Sequence, residues 1–175
     1  MLADGGASDI ALLLVTLVAG VWDLRTGRIP NMLTYGAIGI GFILALFQGQ
    51  SVVLSSFVGF LVGFAIFAMA FKAGMMGGGD VKLMGAIGAL KGFPFVIYVM
   101  YYACAVTAVV ALSILVYRGV ALATLRDIGR TLFSGIMARE WALPPARADL
   151  KIPFGAALSV ASQVALVGGL LGWTL

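Results

Sequence analysis

An all-α, polytopic membrane bundle of about six transmembrane helices is the fold class this sequence predicts, and three observations carry that prediction. Of the 175 residues, 62% are hydrophobic and only 10% charged. A soluble domain carries about 25% charged residues, so most of this surface has no water to face. Residues 29–71, 92–117 and 152–175 contain no charge at all. A helix needs about 20 apolar residues to cross a hydrocarbon core of roughly 30 Å, so the first run fits two crossings and each of the others one. Glycine and proline then punctuate these runs at the spacing that separate helices require.

Taken in order, the helices are expected at about 9–23, 31–48, 51–72, 80–91, 94–117 and 153–174. Gly27 and Pro30 separate the first two, and the polar patch Gln48-Gly49-Gln50-Ser51 turns the second into the third. The stretch Gly74-Met75-Met76-Gly77-Gly78-Gly79 breaks the third helix from the fourth, and Gly92 with Pro94 breaks the fourth from the fifth. The first apolar stretch follows acidic Asp4 and Asp9 rather than a basic leader, so it reads as a helix that stays and not as a removable signal peptide. Residues 1–175 are read as one membrane-embedded domain.

Residues 118–151 form the long polar connection. Leu125, Ile128, Leu132 and Ile136 share one helical face, with Arg126 and Arg130 one turn apart on another. That pattern predicts a cytoplasmic amphipathic helix lying on an anionic leaflet, ended by Pro144-Pro145.

Six crossings place both termini on one side. Arg25, Arg28, Lys72, Lys82, Arg118, Arg126, Arg130, Arg139, Arg147 and Lys151 fall at the loops after helices one, three and five, and Lys91 alone lies opposite. The positive-inside rule makes those loops cytoplasmic, with both termini outside the cytoplasm. The basic residues are accounted for by topology, and no nucleic-acid partner is expected.

The 24 glycines include Gly59/Gly63 and Gly168/Gly172 at small-xxx-small spacing, which in lipid signals close helix packing. The chain has no histidine and a single cysteine, Cys104. That excludes an intrachain disulfide and a cysteine zinc cluster, so no metal and no cofactor are expected.

Two acidic residues stand in costly places. Asp23 closes the first helix and Asp80 opens the fourth, both on the cytoplasmic side. Asp9 to Asp23 spans about 21 Å of helix, short of the roughly 30 Å core, so Asp23 lies below the surface. An ionisable group there costs a few kcal/mol and is a functional-site hypothesis by default. The bland alternatives are an ion pair of Asp23 with Arg25 or Arg28, and Asp80 as a helix N-cap.

As a pair, the two carboxylates have a specific chemistry. They would share a proton. The ionised one takes a proton from water as it attacks a peptide carbonyl, and the protonated one donates to the developing oxyanion and then to the leaving amine. The pair titrates as a unit, so the base is assigned to neither. Gly77 and Gly79 before Asp80 let the backbone approach a substrate strand closely.

Three motifs together resemble the type IV prepilin peptidases, a family of GxGD membrane aspartic peptidases. They are Asp23-Leu24-Arg25-Thr26-Gly27-Arg28-Ile29-Pro30-Asn31, Gly77-Gly78-Gly79-Asp80-Val81-Lys82-Leu83-Met84, and Lys151-Ile152-Pro153-Phe154-Gly155-Ala156-Ala157-Leu158. The resemblance implies an inner-membrane endopeptidase that removes the basic leader of prepilins at the cytoplasmic face. Asp23 and Asp80 match the catalytic aspartates, and Gly77 and Gly79 the glycines of GxGD. Asp23 directly follows the first helix and paired cysteines are absent. The chain is therefore similar to the short form that serves tight-adherence or Flp-type pili, without the methyltransferase region. Ala156 stands where many relatives carry proline. The expected partners are a prepilin and the lipid bilayer; which prepilin, and the oligomeric state, the sequence leaves open. Two other readings use the same aspartates: a presenilin-like intramembrane protease, and a small transporter or assembly protein with Asp23 and Asp80 as ion or proton sites.

Overall fold

In a computed structural model, residues 6–120, 122–124, 126, 127, 129 and 154–170 are described. The helices are α1 (Gly6–Thr26), α2 (Asn31–Gln48), α3 (Gln50–Lys72), α4 (Gly78–Lys91), α5 (Phe93–Tyr117) and, after the long connection, α6 (Phe154–Leu170). No strand occurs among the described residues. Among the described residues helices thus form where the breaks predict them, and the fold is an all-α membrane bundle.

Among the described residues four helices, α1, α2, α3 and α5, are long and apolar enough to cross a membrane. The α4 helix has only 14 residues, about 21 Å of rise. It opens on Gly-Gly-Asp because the glycine stretch ends α3 and starts α4 within a few residues. The α6 helix is described over 17 residues, and 171–174 of the expected sixth helix lie outside the described residues.

Where the helices meet, the breakers behave as local chemistry requires. Gly49 alone joins α2 to α3, at a φ of 114° that other residues avoid. The amphipathic helix expected over 118–151 lies mostly outside the described residues. The described ones among 122–129 are helical, with Leu122 and Arg126 exposed. Contacts divide the chain into two units, Met1–Val106 with Pro153–Leu175, and Thr107–Ile152.

In the first unit α4 is the centre. Asp80, Val81 and every residue from Leu83 to Leu90 are buried, and α1, α2, α3 and α6 all pack on it. A helix covered on all faces needs apolar or small residues all round, and Gly85, Ala86, Gly88 and Ala89 supply them. The Gly59/Gly63 pair serves the packing expected of it: a Cβ on Gly59 would lie 2.7 Å from the Gly88 carbonyl oxygen, and one on Gly63 2.9 Å from that of Met84. On the α2 side, a Cβ on Gly41 would lie 2.8 Å from the Ala89 carbonyl carbon. The first turns of α5 complete the core with Phe95, Val96, Val99 and Ala103. Gly168 is buried within α6, whereas its partner Gly172 lies outside the described residues.

Candidate active site

These packings set the helix directions. Lys91 of α4 pairs with Asp9 of α1, so α1 and α4 run antiparallel. Lys82 Nζ donates to Asn31 Oδ1 at 2.7 Å, so α2 and α4 run parallel. Gln48 Nε2 donates to Ser8 Oγ at 3.1 Å, which joins the opposite end of α2 to the start of α1. The end of α1, the start of α2, the α3–α4 connection and the start of α6 therefore gather at one end of the unit. Asp23 and Asp80 both sit there.

Asp23 lies in the last turn of α1, which continues past it to Thr26. Only 8% of it is exposed, although its neighbours Val21, Trp22 and Leu24 are all exposed. Its Oδ2 accepts a hydrogen bond from the main-chain N–H of Ala156 at 3.2 Å. Arg25 and Arg28 are exposed, and neither pairs with Asp23 among the described residues. The headgroup ion pair considered from sequence is absent there.

Asp80 is likewise 8% exposed. It is not the N-cap of α4 but its third residue, and Gly77 holds the cap position. The Asp80 Oδ2 accepts the Gly77 N–H at 3.2 Å, while the Asp80 N–H returns to the Gly77 carbonyl at 3.2 Å. An acid at the third helical position reaching back to the cap is the carboxylate half of a capping box. The two carboxylates thus sit on the neighbouring ends of packed helices, the last turn of α1 and the first turn of α4.

Ile29 holds the two segments in register, and sequence reasoning did not single it out. It is buried at 8% exposure. A Cβ on Gly79 would lie 3.1 Å from Ile29 Cβ, and one on Gly155 2.8 Å from Ile29 Cδ1. One side chain thus packs on the starts of both α4 and α6, and Gly79 is small so that Ile29 can sit there. The signal was present: Ile29 opens a charge-free run directly after Arg28. Beside the site, the Lys82 ammonium also lies 5.0 Å from the Tyr35 ring centre, a cation–π distance.

The expected substrate-facing glycines now have defined surroundings. Gly77 is exposed and gives its N–H to Asp80, and a Cβ there would sit 3.3 Å from Asp80 Oδ2. Gly79 is half-buried against Ile29.

The type IV leader peptidase family model matches residues 10–112, a stretch that contains both aspartates. The chain is also similar to a prepilin leader peptidase/N-methyltransferase of Vibrio cholerae, 36% identical over 88 residues, which is 45% of this chain and 34% of the relative. The chain therefore spans about a third of the length of the curated relative it matches. No solved structure matches. With a family model over more than half of its length and both aspartates inside that match, the chain belongs to the type IV leader peptidase family.

Proposed function

We propose that this protein is a membrane aspartic endopeptidase that removes the leader peptide of Flp-like prepilins at the cytoplasmic face of the inner membrane. The observation that carries the reading is the aspartate pair. Asp23 and Asp80 come from different helices and are both largely buried at the same end of the unit, on segments joined by Ile29. Ion pairing does not account for them, since the ion pair found among the described residues is elsewhere.

In this mechanism a water bound between the carboxylates loses a proton to the ionised aspartate as its oxygen attacks the scissile carbonyl. The protonated aspartate donates to the carbonyl oxygen, and collapse of the tetrahedral intermediate passes a proton to the leaving amine. Neither residue is assigned as base, because the pair shares its protons. The exposed Gly77 backbone offers a side-chain-free edge next to Asp80, over which the substrate strand passes.

Co-expression with prepilins of the same genome, read as a mobility shift on leader removal, tests the proposal. Processing of an Flp-like prepilin supports it. Absence of cleavage with every candidate, together with proton-coupled uptake that depends on both aspartates, would replace it with the transporter reading.

A further inference from the structure

The contacts between α1 and α6 share one register. Gln163 Nε2 donates to Thr16 Oγ1 at 2.9 Å. A Cβ on Gly20 would lie 2.7 Å from Ser159 Cβ. The Ala156 N–H reaches Asp23 at 3.2 Å. Four residues and then three along α1 are matched by four and then three back along α6, as two antiparallel helices in close contact require. The register ends on the carboxylate.

Two features make that last contact specific. Ala156 is the third residue of α6, within the first turn, where main-chain N–H groups have no partner inside the helix. Its donor is therefore available to an outside acceptor, and the positive end of the helix dipole complements a carboxylate. Gly155 allows the approach, because a Cβ there would lie 2.9 Å from both Cγ and Oδ2 of Asp23.

We propose that Ala156 is a positioning residue for Asp23: its main-chain N–H holds Oδ2 and leaves Oδ1 to the reacting water. The proposal rests on the peptidase reading above for its kinetic consequence, but the hydrogen bond itself does not. Proline at this position would have no N–H to donate.

That same property supplies the test. Proline fits the first turn of a helix, so Ala156→Pro deletes the donor while the helix is kept. Hydrogen bonds to charged groups are worth about 1.5–3 kcal/mol, so kcat should fall roughly tenfold or more, with KM little changed. Ala156→Gly, which keeps the N–H, should cleave like wild type. Replacing Ala156 by lactic acid through nonsense suppression removes the same N–H without a ring, and serves if the proline variant does not fold. A second readout needs no substrate: a hydrophobic carbodiimide should label Asp23 several-fold faster in both donor-less proteins. Wild-type kcat in the donor-less proteins overturns the proposal, as does an equal loss in Ala156→Gly. If the wild-type chain cleaves no prepilin, the peptidase reading fails, and the labelling rates decide the positioning role alone; equal rates overturn it.

Discussion

Lys91, in the last turn of α4, forms an ion pair with Asp9 near the start of α1, at the end of the helix pair opposite Asp23 and Asp80. The Lys91 side chain is 7% exposed and that of Asp9 22%, and the ammonium lies 5.6 Å from the Phe95 ring centre. Asp9 and Asp23 are about 21 Å apart along α1, and Asp80 and Lys91 about 17 Å along α4, at roughly 1.5 Å per residue. The two helices are thus tied by an ion pair at the end opposite the one that carries Asp23 and Asp80.

Removing one partner of a buried pair strands the other charge, which costs about 3–5 kcal/mol, whereas replacing both with apolar residues is often neutral. Lys91→Met should therefore lower the thermal unfolding midpoint in detergent, and Asp9→Leu with Lys91→Met should restore most of it. Equal destabilisation by the single and double variants would show that the pair does not act as a unit.

Asp23→Asn and Asp80→Asn should each abolish leader cleavage while the protein still inserts and folds. Asparagine keeps the shape but can neither take the proton of water nor return one to the amine. Residues that act as one catalytic unit are non-additive, so the double variant should be hardly worse than either single one. Asp127→Asn and Asp149→Asn, in the 118–151 connection, should lose little. Near wild-type cleavage by either dyad variant would remove the pair from the chemistry.

Cleavage should persist in EDTA. The chain has no histidine and one cysteine, and paired carboxylates activate water without a metal. Full loss in chelator, restored by zinc, would contradict the mechanism.

Glycine substitutions should separate packing from mere presence in a helix. A Cβ on Gly88 would collide with the Gly59 carbonyl group. Overpacking of this kind costs typically about 1–3 kcal/mol, so Gly88→Ala should lower both yield and unfolding midpoint. Gly39 in α2 is exposed with nothing within 4 Å of the added atom. Gly39→Ala should be neutral or slightly stabilising, since alanine is the better helix former.

Cysteine labelling in intact cells and inverted vesicles, in a Cys104→Ala background, checks the proposed orientation. Single cysteines at 28, 75 and 130 should react from the cytoplasmic side and one at 50 from the other. Position 130 labelling from outside would reverse both the topology and the side of the reaction.

The sequence by itself determined the class of solvent, the breaks between helices and the two aspartates worth suspecting. Those signals are local: hydropathy of a run, a glycine or proline between runs, a charge where charge is costly. Only the tertiary structure decided which faces meet. The membrane helices are apolar nearly all round, so periodicity could not say that the 14-residue α4 is wrapped on every side. Asp9 and Lys91 are 82 residues apart, and the Ala156 N–H is 133 residues from Asp23. Nothing in a single sequence pairs such distant groups, and the α6 contact comes from a main-chain donor, which no side chain reveals. The Ile29 wedge escaped for the same reason: one more apolar residue in an apolar chain acquires meaning only when two glycines close on it.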